Sequence, residues 1–268
     1  MNLNLKGKVV IITGANNPLG IGAATGYKFA EEGSKVVLVY KKIEKTYNSN
    51  NILENGFDKY YKLNSEDAYS VEQKLCKITK DYLILEKDIT EENAIKEIFD
   101  KAENKFGMVN ILINNAAVCD EVSDNIFSIT KNVIDKTFDL NVKSTILMIQ
   151  EFVKRNMNYG RIVNISTDAS QRFAGQITYG ASKATIEALT RSIAIEIGKT
   201  GITINTVSPG PTQTGYISKD LEQKIIIDIP LGRIGKPEDI ANVILFLSSE
   251  QASWITGQII QVSGGHCI

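Results

Sequence analysis

Short runs of β-branched and aliphatic residues alternate with longer amphipathic stretches along nearly all of this 268-residue chain. Strands buried on both faces read as continuous apolar runs, and the helices between them cover both faces of a parallel sheet. The runs Val9–Thr13, Lys35–Tyr40, Tyr82–Glu86, Val109–Asn114, Arg161–Ser166, Ile202–Val207 and Ile259–Val262 predict seven strands. The segments between them predict helices, including Ala23–Glu32, Ala181–Gly198 and one opened by Pro237-Glu-Asp, where proline and acids suit a first turn. Seven strands with their helices use up the length. The expected fold is therefore α/β, a doubly wound seven-stranded parallel sheet in a single domain over residues 1–268.

One stretch breaks the rhythm. About forty residues separate Tyr40 from Tyr82, where a β–α–β connection needs far fewer. Residues Ile43–Asp67 are rich in Asn, Tyr and Lys with little periodicity and read as an inserted surface segment, followed by a helix to about Lys80. A solvated insertion without function is the plainer reading. A lid, or an oligomer contact near the adenosine end of a nucleotide, is the other.

The net charge of −1 gives no electrostatic case for nucleic acid or an acidic membrane surface. No apolar run approaches the ~18 residues that span a bilayer. The opening Met1-Asn-Leu-Asn-Leu-Lys-Gly-Lys lacks the apolar core of a secretory signal, so a cytoplasmic location is expected. Cys76, Cys119 and Cys267 are widely spaced, with no C-x-x-C pair, and read as free thiols; no metal site is expected.

The first strand runs into Thr13-Gly-Ala-Asn-Asn-Pro-Leu-Gly-Ile-Gly22. Glycines at such a turn let backbone approach a pyrophosphate, which the following helix N-terminus attracts, so the sheet reads as Rossmann-like. Gly22 has a second reading, close helix–strand packing. No Gly-Lys-Ser/Thr follows, which disfavours a P-loop hydrolase. The second strand ends Val39-Tyr40-Lys41-Lys42 with no acid at its tip to accept from a ribose 2′-hydroxyl. Two cations there would stabilise a 2′-phosphate, so NADP(H) is favoured over NAD(H). With twenty-five lysines against five arginines, a pair of solvated lysines is the alternative.

Of ten tyrosines, only Tyr179 has a lysine four residues on, Lys183, and chance supplies about one such pair. Context gives it weight. The pair opens a long helix and shares one face, thirteen residues after Ser166 at the carboxyl end of a strand. Ligands of open α/β sheets bind at that edge. An ammonium near a phenol lowers its pKa from about 10 toward the range where it acts as acid or base. His266, the only histidine, is a poor general-base candidate near the end of the chain.

Together these motifs resemble the short-chain dehydrogenase/reductase family over essentially the whole chain. The residues that carry the resemblance are Thr13-Gly14 with Gly20-Ile21-Gly22, Asp88-Ile89-Thr90, Asn114-Asn115-Ala116-Ala117, Asn141 in Leu-Asn-Val, and Ser166. Tyr179-x-x-x-Lys183, Pro209-Gly210 with Thr212 and Thr214, and Ile255-Thr-Gly-Gln258 with Ser263-Gly-Gly265 complete the set. The resemblance implies that Gly14, Asn16, Gly20, Ile21, Gly22, Tyr40, Lys41, Lys42, Asp88, Ile89, Asn115, Ala116, Pro209, Gly210, Thr212 and Thr214 hold the cofactor. Within that set Asp88 meets the adenine and Thr214 the carboxamide. Tyr179 is the implied acid/base, with Lys183 lowering its pKa and holding the nicotinamide ribose. Ser166 orients the substrate oxygen, and Asn141 holds a water linking Lys183 to solvent.

Three departures stand out. The glycine loop is two residues longer than the family's, through Asn16–Leu19. Counting from Gly160 puts Thr167 at the serine position, whereas counting back from Tyr179 puts Ser166 there. The 43–67 insertion exceeds the family norm. The implied activity is hydride transfer between NADP(H) and a carbonyl or alcohol, with a ketone such as a 3-ketoacyl thioester as a candidate substrate. Residues 213–230 form the substrate loop, and the implied assembly is a homotetramer or homodimer. A redox sensor or scaffold that binds NADP without turnover is the alternative from another class.

Overall fold

In β1 (Val9–Thr13), Val10 and Ile12 point to one side of the sheet and Val9 and Ile11 to the other, and all four are buried. That two-sided burial recurs through β2 (Lys35–Tyr40), β4 (Val109–Asn114), β5 (Gly160–Ile165) and β6 (Ile202–Pro209), and weakens in the edge strands β3 (Tyr82–Glu86) and β7 (Ile259–Val262). This is a computed structural model, and it describes residues 3–119, 124–156, 158–171 and 174–267. All seven strands are parallel, in the order β3-β2-β1-β4-β5-β6-β7. The strand order reverses between β1 and β4, where a crevice opens at the carboxyl edge.

Helices α1 (Ile21–Glu31), α3 (Tyr69–Leu75) and α9 (Pro237–Ser248) cover one face through Ala23, Tyr27, Val71, Leu75, Ile240 and Ile244. The other face takes α4 (Ala94–Phe106), α6 (Thr145–Arg155) and α7 (Ile177–Ile197) through Phe99, Met148, Phe152 and Ile197. A buried polar chain pins α7 to the strands. Asn114 Nδ2 donates to Asn164 Oδ1 at 2.9 Å, Asn164 Nδ2 donates to Thr190 Oγ1 at 3.1 Å, and Thr190 meets Thr206 at 2.8 Å. Every member is paired, as buried polar groups must be.

Two short helices lie at the carboxyl edge. The insertion carries α2 (Phe57–Ser65), and the segment after β6 carries α8 (Lys219–Ile225). The helix predicted to reach Lys80 ends at Leu75. The helix predicted from Ala181 begins at Ile177, so Tyr179 falls in its first turn.

Candidate active site

The glycine loop is built from the ends of β1 and β4. Thr13 Oγ1 accepts from the amides of Asn115 at 3.1 Å and Ala116 at 3.0 Å. Asn115 Nδ2 answers with bonds to the carbonyls of Thr13 at 2.8 Å and Gly14 at 2.9 Å. A Cβ on Gly22 would stand 2.5 Å from the Gly14 carbonyl, so this glycine serves close packing of helix against strand. Gly14 has φ +71°, and a Cβ there would lie 2.8 Å from Ala116 Cα. Gly20 opens α1 without a side-chain cap, and the first turn holds no acid. The amides of Ile21 and Gly22 thus lack a side-chain acceptor at a positive helix end, a setting that fits a pyrophosphate.

Asn16 and Asn17 make this loop a hub. Asn16 Nδ2 donates to the carbonyls of Asn64 at 3.1 Å and Glu66 at 3.0 Å, at the end of α2. Asn17 Nδ2 donates to the Thr214 carbonyl at 3.1 Å, and its Oδ1 accepts from Leu19 N at 2.9 Å. Both asparagines are buried.

The insertion lies at the surface, with none of residues 43–67 buried, yet it is anchored to the rest of the chain. Gly56 N donates to Gly215 O at 2.8 Å, tying the start of α2 to the segment after β6. The Phe57 ring lies 6.3 Å from that of Tyr216, and Tyr60 meets Tyr216 edge-on at 5.9 Å. Lys45 sits 4.6 Å over Tyr61. Between this aromatic cap and Ala117, Val118 and Cys119 remains a cavity of about 30 Å³, room for one or two waters. The sequence hid this because Phe57, Tyr60 and Tyr61 share one face of a helix too short to announce itself by periodicity.

At the tip of β2 the lysines are not alone. Acids arrive from the neighbouring strand, since Lys41 pairs with Asp88 and Lys42 with Glu86 at 3.3 Å. Tyr40 Oη donates to Glu86 Oε2 at 3.2 Å. Asp88 Oδ1 also accepts from Thr90 N at 2.9 Å and Thr90 Oγ1 at 2.7 Å. Burial opposes ionisation of Asp88, but Lys41 and Thr90 together outweigh it and hold the carboxyl below its usual value. The absence of an acid at the strand tip therefore did not mean an absence of acids near it.

The Tyr179–Lys183 pair sits on the first turns of α7. Its anchor is Asp124, 1 % exposed. Asp124 Oδ1 accepts from Thr178 N at 2.7 Å and Thr178 Oγ1 at 2.6 Å, and Oδ2 accepts from Tyr179 N at 2.9 Å. Across the crevice, α5 (Lys131–Phe138) passes into α6 through a π-helical turn over Asp139–Ser144, an irregularity frequent at functional sites. It presents Asn141, whose Oδ1 accepts from Val118 N at 2.8 Å. Asn141 Nδ2 donates to Val118 O at 2.9 Å and to Ser182 Oγ at 3.0 Å, and so binds the end of β4 to α7.

Lys183 is 3 % exposed and donates through Nζ to the Ile165 carbonyl at 2.7 Å. Its burial lowers the pKa to about 8. Burial pushes the Tyr179 phenol far above its ordinary value, and Cys119, Tyr60, Tyr216 and Asp168 act in the same direction. The net direction is upward, and Lys183 is not among the groups that set it. The ammonium is 5.8 Å from the ring centre and directed at a carbonyl, and desolvation by burial prevails. Ser166 Oγ donates to Glu187 Oε1 at 2.7 Å, as does Ser170 Oγ. Thr167 Oγ1 has looser contacts, to Asp168 Oδ1 and from Ala169 N, each at 3.3 Å.

After β6, Gly210 N donates to Val262 O at 3.1 Å, and a Cβ on Gly210 would stand 2.7 Å from Ser263. Thr212 Oγ1 donates to Gly210 O at 2.9 Å, which shapes the turn leading to Thr214.

A family model described as Enoyl-(Acyl carrier protein) reductase matches residues 60–266. The chain is 33 % identical to the 3-oxoacyl-(acyl-carrier-protein) reductase FabG of Aquifex aeolicus, covering 99 % of each. It is also 33 % identical to NADPH-dependent aldehyde reductase 2, chloroplastic, of Arabidopsis thaliana, covering 98 % of this chain and 95 % of that one. The chain belongs to the short-chain dehydrogenase/reductase family. Among solved structures, the short-chain dehydrogenase/reductase from Serratia marcescens superposes with a TM-score of 0.82 at 26 % identity, covering 98 % and 99 % of the two chains.

As a member of this family the protein is an NAD(P)-dependent oxidoreductase with a Rossmann-like sheet. No described helix is long and apolar enough to cross a membrane. The structure brings Tyr179, Lys183, Asn141, Ser166 and Thr167 to the carboxyl edge that also carries the glycine loop. Sequence reasoning missed Asp124, Glu187, Tyr60, Tyr216 and Cys119. Each reaches the site through a long-range contact that no local pattern encodes.

Proposed function

We propose that this protein reduces a ketone or aldehyde with NADPH, with Tyr179 as the proton donor to the carbonyl oxygen. The observation that carries this reading is geometric: Tyr179 and the buried Lys183 lie one turn apart at the start of α7, with Lys183 Nζ held by the Ile165 carbonyl at 2.7 Å, at the sheet edge that also carries the glycine loop. A protonated phenol is the form needed for reduction; alcohol oxidation needs the phenolate. The cofactor, when bound, supplies hydride. The chain's residues orient the carbonyl, exclude water and deliver the proton. Of the two hydroxyls, Thr167 is the better candidate for holding the carbonyl oxygen, because Ser166 is engaged by Glu187 at 2.7 Å. We assign the pyrophosphate to the start of α1, the carboxamide to Thr214 and the adenine to Asp88. NADPH-dependent relatives and the Lys41–Lys42 pair support a preference for the 2′-phosphate. Both lysines are exposed while Asp88 is not, so a phosphate dianion can draw Lys42 from Glu86, and Lys41 from Asp88, without desolvating either ammonium.

The cap has a part in the same cycle. Ligand sites occupy several hundred Å³, against about 30 Å³ beneath α2. Residues 43–67 therefore act as a lid that the dinucleotide displaces, and the Asn16 tethers to Asn64 and Glu66 are the contacts that give way. One titration checks both points. NADPH is expected to bind about tenfold or more tightly than NADH, and Lys41→Ala to remove most of that margin, about 1–2 kcal/mol for a charge-assisted contact. Hydrogen exchange in 57–65 is expected to change on binding. Equal affinity for the two nucleotides defeats the phosphate assignment, and unchanged exchange defeats the lid. The activity itself is read as NADPH oxidation over a panel of aldehydes and 3-oxoacyl thioesters. Binding of NADPH without turnover across that panel would favour a sensor instead.

A further inference from the structure

A buried histidine, a buried carboxylate and a thiol meet beyond β7; no step of the reduction is assigned to any of them, although Asp168 Oδ1 also accepts from Thr167 Oγ1 at 3.3 Å. The chain leaves β7 through Gly264 and Gly265, at φ +66° and +92°, where a Cβ on Gly265 would stand 2.7 Å from the Pro230 ring. That turn drives His266, 8 % exposed, against Asp168, 6 % exposed, in the turn after β5. His266 Nδ1 lies 2.5 Å from Asp168 Oδ2, and Nε2 lies 3.8 Å from Cys267 Sγ. An ionised carboxylate can only accept, so Nδ1 carries the proton and Nε2 turns a lone pair to the thiol. Cys267 is held at φ +54°, uncommon for a residue with a Cβ, and Gln261 Nε2 fixes its carbonyl at 3.0 Å.

We propose that Cys267 is a reactive thiol and modification site, activated by the His266–Asp168 pair, that takes soft electrophiles and low-molecular-weight disulfides. The Sγ proton passes to His266 Nε2, and Asp168 stabilises the imidazolium across Nδ1. The thiolate then attacks one sulfur of the disulfide. A bond from Cys267 to that sulfur forms as the original S–S bond breaks, and the second half leaves as thiolate. Cys267 is oxidised, the departing half is reduced, and no other oxidant takes part.

The three ligating atoms lie within 4.8 Å of one another, yet the cluster suits a cation poorly. Two atoms bound to one zinc at about 2.0 Å lie about 3.3 Å apart, whereas 2.5 Å between Nδ1 and Oδ2 is a hydrogen bond. With Asp168 so engaged, only two ligands remain, fewer than the three or four of zinc sites.

Limiting iodoacetamide near neutral pH, with each cysteine read by peptide mass spectrometry, tests the thiol without cofactor or substrate. Its outcome is thus independent of the reductase reading. Cys76, also half-buried and with Sγ donating to Gln73 O at 3.5 Å, is the internal standard. An ordinary thiol is only about 3 % ionised at pH 7, so an imidazolium-paired thiolate reacts about tenfold faster. That excess of Cys267 over Cys76 is expected in the native protein, and its disappearance in His266→Gln, in Asp168→Asn and in urea. Equal native rates overturn the proposal, as does an excess that persists in urea or in His266→Gln. Native labelling that rises on adding EDTA would show that the groups hold a cation, and overturns it too.

Discussion

Tyr179→Phe is expected to lower the turnover of any accepted carbonyl substrate by about 10²–10⁴-fold, the usual worth of a positioned general acid. Dinucleotide affinity should stay within about threefold, because the ring and its packing remain and only the phenolic oxygen is lost. The substitution removes the phenolic O–H that is proposed to give the proton to the carbonyl oxygen. Lys183 sets the alkaline limit. Burial brings its pKa down to about 8, so the ammonium is present below that pH and lost above it. Reduction by the wild-type protein should accordingly be level through neutral pH and fall above about 8. Thr167→Ala should cost more turnover than Ser166→Ala, since Ser166 already bonds Glu187. Steady-state rates with NADPH, together with nucleotide binding by fluorescence, separate these effects. A Tyr179→Phe protein that turns over undiminished removes the proposed proton donor.

Much of the architecture was legible because strand burial is written locally. Val9–Thr13 and Val109–Asn114 are apolar runs that a two-sided environment satisfies, and their bounds match the sheet. The glycine loop and the Tyr179–Lys183 spacing were legible for a similar reason, since each is a short motif on a single element. What stayed hidden was carried by contacts between distant segments. Asn16 reaches Asn64 across 48 positions, and Asp168 meets His266 across 98. The acids beside Lys41 and Lys42 come from the next strand in space, not from the tip of their own. The net pKa direction of Tyr179 was illegible for the same reason: helical spacing reports the ammonium one turn away, whereas burial, with Tyr60 and Tyr216 acting in the same direction, depends on distant segments.

Asp124 is the hidden residue with the largest expected effect. An α-helix leaves its first amides without partners, and an N-cap side chain normally takes one of them. Gln176, at the cap position of α7, has φ −136° and ψ 49°, away from the extended geometry that N-caps adopt, and makes no such bond. The helix therefore takes its cap from Asp124, whose two oxygens accept from Thr178 N, Thr178 Oγ1 and Tyr179 N. Asp124→Ala strips three buried donors of their acceptor. Bonds to a charged group are worth about 1.5–3 kcal/mol, so a loss of about 3 kcal/mol in stability is expected. The same bond fixes the backbone of Tyr179, and a displacement of about 1 Å at a reacting group can lower the rate about 10²-fold. Asp124→Asn keeps one acceptor and turns an amide donor toward the other contact, so it should fall between wild type and alanine in both measures. The readouts are thermal unfolding and kcat, with NADPH affinity as the control that a general loss of fold would move. A kcat that holds while the melting temperature falls would make Asp124 a structural cap alone. A fall in kcat at unchanged NADPH affinity would show that the remote cap positions the catalytic tyrosine.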